Sequence, residues 1–138
     1  MTERTLVFQI EIPIRWGDMD AMGHVNNTVY FRYMEQARIS WMEALGYQGS
    51  NTEGMLVVNA HCTFVRQLEY PGTVLVRHYV GKLGTSSFEL IDEMVRTDDP
   101  GTVYAHGGAK GVWCDYAAKK SKPLPDAVRA AITRPWIG

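Results

Sequence analysis

The chain has 138 residues, with 14 lysines and arginines against 15 aspartates and glutamates. This length fits one domain over residues 1–138 and is too short for a barrel enzyme of about 250 residues. The balanced charge gives no field that would attract nucleic acid or an anionic membrane surface. No apolar run approaches the roughly 18 residues that cross a bilayer, and the N-terminus lacks the apolar core of a secretory signal. We therefore expect a cytoplasmic protein that inserts into no membrane.

The first predicted element is a strand, and a long helix follows it. Apolar side chains occupy every second position from Phe8 to Trp16, which is the period of a half-buried strand, and Pro13 is typical of an edge strand. From about Thr28 to Leu45 the apolar residues recur at helical spacing. Side chains suited to capping precede this helix, and a glycine follows it. The sequence therefore predicts a strand, a short loop and a long helix.

The rest of the chain is predicted to form strands and one last helix. Four segments rich in Val, Thr, Phe and Tyr are separated by short turns, which predicts an antiparallel meander over 55–67, 73–83, 86–97 and 102–116. The small residues of AHGGAKG, 105–111, are expected where another backbone, that of the long helix, packs closely. The last helix is predicted to begin at Pro125. One long helix on an antiparallel sheet is an α+β layout.

The stretch RWGDMDAMGHVNN joins the first strand to the long helix, and we call these residues, 15–27, the polar corner. The N-terminus of a helix presents unpaired N–H groups and a partial positive charge, which stabilise an oxyanion. Asp20 or Asp18 can act as base or nucleophile on a carbonyl that the N–H groups near Asn26 and Asn27 hold. The polar corner therefore predicts acyl chemistry.

The segment DAMGHVNN from Asp20 to Asn27, followed by Tyr30 and by EQAR at 35–38, resembles the hotdog-fold thioesterases of the 4-hydroxybenzoyl-CoA thioesterase type. The resemblance covers nearly the whole chain. It implies a long central helix wrapped by a five-stranded antiparallel sheet, and homodimers or dimers of dimers with active sites between subunits. In that family the second aspartate of the D-x-D pair attacks the thioester or activates water, which maps onto Asp20. The backbone N–H that polarises the thioester carbonyl maps onto Asn27.

The polar corner is also similar to that of plant acyl-carrier-protein thioesterases, in which an aspartate and a histidine occupy the Asp20 and His24 positions. Ala21 stands where the aryl-CoA enzyme has proline, and Met22 stands where the plant enzymes have asparagine. The two resemblances agree on thioester hydrolysis. They leave open the acyl group and its carrier, which is either CoA or acyl carrier protein.

Two groups of residues are predicted to bind substrate. Gly23, Asn26 and Tyr30 accompany Asp20, and Gly23 permits a close backbone approach. In the resembled family the turn between the second and third meander strands lies near the CoA nucleotide. Here KLGTSS supplies a cation and hydroxyls for the phosphates, from Lys82, Thr85, Ser86 and Ser87. The alternative for that turn is an ordinary hairpin with a solvated lysine. We expect no cofactor, since no G-x-G-x-x-G follows a strand and CoA is part of the substrate.

Several polar side chains have structural explanations as well. We expect Asp18 to bond nearby backbone N–H groups, because aspartate is favoured in turns. A metal on Asp18 and Asp20 is not expected, because hard cations need more oxygen ligands and no acidic cluster accompanies the pair. His24 either positions or transfers a proton, or it is an exposed loop residue. Glu35 lies on an apolar flank of the helix and is expected to pair with Arg38.

Three functions are compatible with the sequence. The leading hypothesis is hydrolysis of an acyl-CoA or acyl-carrier-protein thioester to the free acid and the thiol. A hydratase or dehydratase of acyl thioesters on the same fold would carry its histidine and acid in a different motif on the central helix. A non-catalytic acyl-CoA sensor would keep the pocket, but the presence of Asp20 argues against it. We therefore predict an acyl-CoA thioesterase.

Overall fold

The computed structural model describes residues 3–47 and 52–138 of the chain. The predicted long helix and five long strands are present, together with a two-residue strand that the sequence did not predict. A single 3₁₀ turn lies between β1 and α1. The bounds are β1 Thr5–Pro13, α1 Asn27–Ala44, β2 Glu53–Phe64, β3 Thr73–Leu83, β4 Ser87–Arg96, β5 Ala105–Asp115, β6 Lys120–Ser121 and α2 Asp126–Ile132.

The strands form one antiparallel sheet in the order β1-β3-β4-β5-β2, and β6 pairs with β5. β1 is an edge strand, as Pro13 predicted, and β2 forms the other edge. The predicted four-strand meander is wrong for β2, because only β3, β4 and β5 are consecutive neighbours. Residues 84–86 form a short turn between β3 and β4, and residues 97–104 connect β4 to β5. Residues 65–72 connect β2 to β3 and are long enough to cross the end of the sheet, and we call them the crossover loop.

Helix α1 packs on one face of the sheet and forms the core with it. Asn26 caps the helix, since its side-chain Oδ1 accepts the Thr28 N–H at 3.0 Å. Burial of each large apolar side chain contributes about 1.5–3 kcal/mol, so the apolar stripe of α1 orients the helix. The buried residues of that stripe are Tyr30, Tyr33, Met34, Ala37, Trp41 and Met42.

Two glycines of β5 lie close to another backbone, as expected, but it is the backbone of the neighbouring strands. A Cβ on Gly107 would lie 2.2 Å from the carbonyl oxygen of His61 on β2. A Cβ on Gly108 would lie 2.4 Å from the carbonyl oxygen of Leu90 on β4. The expectation that α1 is the close neighbour is therefore wrong, and the glycines instead let β5 sit tightly between two strands.

Candidate active site

Asp18 ties the polar corner to helix α1. Its Oδ2 accepts the Arg15 N–H at 2.9 Å and the Tyr33 hydroxyl at 2.9 Å, and its carbonyl accepts the Asn26 N–H at 2.9 Å. The side chain is buried. Burial, and then the hydrogen bond to Asp18, raise the pKa of Tyr33, so its phenol stays a proton donor. Asp18 thus bonds a nearby backbone N–H as expected, and its contacts give it a structural role.

Asp20 is exposed and sits in a loop that closes on itself. Its Oδ1 accepts the Met22 N–H at 2.9 Å and the His24 N–H at 3.4 Å. Its own N–H donates to the His24 carbonyl at 2.8 Å, and its carbonyl accepts the Gly23 N–H at 3.1 Å. Gly23 has φ +83°, a conformation that other residues adopt only with strain. The loop therefore holds the carboxylate at the surface in one orientation.

The N-terminus of α1 completes the polar corner. Asn27 is the first residue of the helix, where no preceding turn supplies an acceptor for its N–H. Met19 and Val25 pair as a β-bridge, which closes the base of the loop that carries Asp20. An exposed carboxylate and the positive end of a helix thus belong to one hydrogen-bonded unit. Such a unit can act on a polarised carbonyl.

The crossover loop packs against this corner. The Nε2 atom of His24 lies 3.6 Å from Glu69 Oε1. Tyr30 is buried; its hydroxyl accepts the Leu68 N–H at 3.1 Å and its ring meets Phe64 edge-on, with centroids 4.9 Å apart. Burial raises the pKa of Tyr30. The contacts of Tyr30 are those of a core residue, and its assignment to substrate binding stays a prediction.

The second predicted group lies at the other end of the sheet. The rise of about 3.3 Å per strand residue from Thr73 to Lys82 separates the β3–β4 turn from the crossover loop by about 30 Å. Arg129 of α2 holds this turn, since its Nη2 donates to the carbonyls of Gly84 at 2.9 Å and Thr85 at 3.2 Å. Within one chain, Asp20 is therefore not brought together with the predicted docking residues Lys82, Thr85, Ser86 and Ser87.

A groove of about 490 Å³ reaches this turn on the sheet face opposite α1. His106 and Lys110 line it and are exposed, and they alternate along β5 with residues that join the core against α1. His61 lines it on β2, and Lys82 and Ser87 line it beside the turn. The groove thus joins the β2 edge to the turn and presents two lysines, neutral polar groups and the carboxylate of Glu89.

Several contacts were missed or mispredicted from the sequence. The exposed Glu35 bonds Arg32 at 3.0 Å, so the predicted pairing with Arg38 is wrong. His78 and Asp92 form a fully buried hydrogen-bonded pair across β3 and β4. The alternation that puts the valines of β3 in the core also puts His78 there, so that signal was present in the sequence. In residues 3–47 and 52–138 no group of three or more His, Cys, Asp or Glu side chains could hold a metal ion.

Comparison with known proteins identifies the family. The family model of the Thioesterase-like superfamily matches residues 14–132. The chain therefore belongs to this superfamily. It is a thioesterase, an enzyme that hydrolyses thioesters. Within the described part of the chain, no helix combines the length and apolar character needed to cross a membrane.

Solved structures share the fold over nearly the whole chain. The PA2801 protein, a proposed thioesterase from Pseudomonas aeruginosa, is 44% identical, with 92% of this chain and 98% of that chain covered and a TM-score of 0.88. The gentisyl-coenzyme A thioesterase BH1999 is 28% identical, with 91% and 99% covered and a TM-score of 0.79. XC229 of Xanthomonas campestris, a proposed acyl-CoA thioesterase, is 33% identical, with 85% and 98% covered and a TM-score of 0.75.

A curated relative is also similar. It is the uncharacterized protein YsmA of Bacillus subtilis (strain 168), which is 30% identical over 81 residues. The match covers 58% of this chain and 55% of YsmA, so the chain matches about half the length of that relative.

Proposed function

We propose that this enzyme hydrolyses an acyl-CoA thioester at the polar corner, with Asp20 as the group that starts the reaction. One observation carries the proposal: an exposed carboxylate is held by backbone N–H groups in the same closed loop that begins helix α1. Asp18 is a poorer candidate, because its carboxylate is buried against Tyr33 and the Arg15 N–H. The names of the similar structures, which include a gentisyl-coenzyme A thioesterase, favour CoA over acyl carrier protein.

Two routes of hydrolysis fit Asp20. In the first, its carboxylate attacks the thioester carbonyl carbon, the CoA thiolate leaves and takes a proton, and water then cleaves the anhydride to free acid and Asp20. In the second, Asp20 takes a proton from water, the hydroxide attacks, and the proton passes to the leaving thiolate. In both routes the Asn27 N–H binds the oxyanion. His24, beside Glu69, orients or relays the proton.

The proposed active unit is a homodimer, or a dimer of dimers, joined along the β2 edge. Edge strands must be paired or covered, and β2 exposes a run of apolar side chains. These exposed residues, with one just beyond the strand, are Leu56, Val57, Val58, Phe64 and Val65. Two β2 edges paired antiparallel would continue the sheet. Light scattering at micromolar concentration should give at least a dimer, and a fully active monomer would refute this assembly.

Antiparallel pairing would bring opposite ends of the two sheets together. The end of β2 lies at the polar corner, where Phe64 meets Tyr30. The start of β2 lies near the far turn, since Trp113 bonds both the Glu53 side chain and the Ser86 carbonyl. The partner's β3–β4 turn would then lie only two to three strand spacings of about 4.8 Å from the shared edge, within reach of a substrate at Asp20.

This arrangement supports CoA docking on the β3–β4 turn. Phosphates need cations or clustered donors, and Lys82 and Lys110 both line the groove that reaches the turn. Thr85, Ser86 and Ser87 add hydroxyls beside it. In the proposed site, Asp20 of one subunit acts on the thioester while this turn of the partner holds the nucleotide.

Release of free thiol from a panel of aryl and alkyl acyl-CoAs tests the proposal. Wild-type enzyme should turn over at least one of them, and Asp20→Asn should lower kcat by about 10²-fold or more while keeping the fold. Asp126→Asn, which changes an exposed acid at the start of α2, should leave kcat unchanged. Near wild-type kcat for the Asp20→Asn enzyme would refute the role of Asp20. Binding of acyl-CoA without thiol release would instead identify a sensor.

A further inference from the structure

Arg96 is the last residue of β4, and all three nitrogens of its guanidinium group donate to loop residues. Its Nη1 donates to the Glu69 carbonyl at 2.8 Å, and its Nη2 donates to the Pro71 carbonyl at 2.9 Å. The Asp98 carboxylate accepts from Nε at 2.9 Å and from Nη2 at 3.1 Å, which fixes the plane of the group. Only 15% of the Arg96 side chain is exposed. The arginine thus fastens the crossover loop to the end of β4.

The crossover loop in turn holds the polar corner. The Val25 N–H donates to the Leu68 carbonyl at 2.8 Å, just where the corner meets helix α1. The Tyr70 N–H lies 3.4 Å from the Met19 sulfur, one residue before Asp20. With the Tyr30 and His24 contacts, these bonds connect loop residues 68–70, which include or adjoin the two carbonyls that Arg96 binds, to both sides of Asp20.

Gly72 leaves room for the guanidinium group. A Cβ at Gly72 would lie 2.4 Å from Arg96 Nη2 and 2.6 Å from both Nη1 and the central carbon of the group. The end of an arginine is normally free to move aside, but four hydrogen bonds hold this one. The carbonyl of Gly72 meanwhile accepts the Ile14 N–H at 2.8 Å, so the backbone there is also held by the segment that leads into the polar corner.

We propose that Arg96 is a positioning residue of this enzyme: it holds the crossover loop in the shape that keeps Asp20 in its working position. The inference rests on the role proposed for Asp20. Loss of the guanidinium group would leave two loop carbonyls without their charged donor, and the loop would relax. A shift of about 1 Å in a reacting group can cost about 10²-fold in rate.

The test compares Arg96→Ala and Arg96→Lys with a matched control. Arg77→Ala removes a partly buried arginine that bonds Glu93 across β3 and β4, away from the crossover loop. Arg96→Ala should lower kcat by about tenfold to hundredfold and change the KM for acyl-CoA by less than about twofold, because Arg96 bonds Glu69, Pro71 and Asp98 and not the residues proposed to hold the nucleotide. Arg96→Lys should recover part of kcat, since a lysine lacks the fork geometry. Arg77→Ala should leave kcat unchanged.

A second readout does not depend on activity. Hydrogen exchange of the Val25 amide, measured by NMR, should speed up by about tenfold or more in Arg96→Ala while that of the buried Val76 amide on β3 keeps its rate. Gly72→Ala should reproduce both the lower kcat and the faster exchange of the Val25 amide, because the new Cβ displaces the guanidinium group. In an Arg96→Ala background, Gly72→Ala should change kcat and the exchange of the Val25 amide little further, because the space beside Gly72 is then empty.

The outcomes separate this inference from the proposed function. Wild-type kcat in Arg96→Ala overturns the positioning role, whether Val25 exchange changes or not, and so does an equal loss in Arg77→Ala. If Arg96→Ala does not fold, Arg96→Lys and Gly72→Ala decide in the same way. If Asp20→Asn keeps full turnover, the proposed function is refuted. Val25 exchange then still decides whether Arg96 holds the polar corner.

Discussion

At each end of the sheet, one arginine side chain holds a loop by donating to two of its backbone carbonyls. At one end Arg96 donates to two carbonyls of the crossover loop, and at the other end Arg129 donates to two carbonyls of the β3–β4 turn. The first loop bonds Met19 and Val25, which lie on either side of the exposed Asp20 and just before the N-terminus of α1. The second carries a lysine and hydroxyls beside a groove. In the proposed function one end carries out the chemistry, and the other holds the nucleotide of the substrate.

The two ends should respond differently to substitution. Changes at the polar corner should act on kcat, because they disturb the reacting groups. Changes at the turn should act on KM, because uniform binding of the nucleotide is lost there. Changes between the ends should act on stability and spare both kinetic constants.

The largest effect outside the two ends is expected at the buried pair in the middle of the sheet. His78→Ala leaves the Asp92 carboxylate buried without its partner and should lower the free energy of unfolding by about 3–5 kcal/mol. Urea denaturation checks this, with His106→Ala on the exposed face as a control that should change little. Replacing His78 and Asp92 together by leucine should recover most of the loss.

The buried pair also tests the separation of the two ends. At a temperature where the His78→Ala enzyme is folded, its kcat and its KM should both stay near the wild-type values. A selective loss of kcat would mean that the middle of the sheet belongs to the reacting end.

A smaller effect is expected at the β3–β4 turn. Lys82→Ala should raise the KM for acyl-CoA several-fold with little change in kcat, as expected when phosphate contacts are lost. Hydrolysis of a short pantetheine thioester, which lacks the nucleotide, should be unaffected. Equal losses on both substrates would give the turn a structural role. No change on either substrate would indicate that the nucleotide binds elsewhere, for example near Lys119 and Lys120.

The sequence predicted the elements and the polar corner well, because both have local patterns. Alternation predicted β1, Pro13 predicted its edge position, helical spacing predicted α1, and the motif from Asp20 to Asn27 predicted the thioesterase family. The place of β2 beside β5 was mispredicted. Short turns suggested a meander, and only long-range pairing decides which strand takes an edge.

The contacts that hold the candidate site could not be predicted from the sequence either, because they also join residues that are far apart along the chain. Arg96 lies 27 residues from Glu69 along the chain, and no local pattern connects an arginine at a strand end with a distant loop carbonyl. Likewise the sequence predicted Asp20 and Lys82 for one site without indicating that, within one chain, they lie at opposite ends of the sheet. That separation comes from the length of β3.

The central claim is that one active site joins the Asp20 end of one subunit to the Lys82 end of its partner. Mixed dimers test it most directly: one chain carries Asp20→Asn, the other carries Lys82→Ala, and two different affinity tags allow the mixed species to be purified. If the site is shared, the working Asp20 faces an intact Lys82, and the mixed dimer should show the wild-type KM at half the wild-type kcat. A KM equal to that of the Lys82→Ala homodimer would contradict the account.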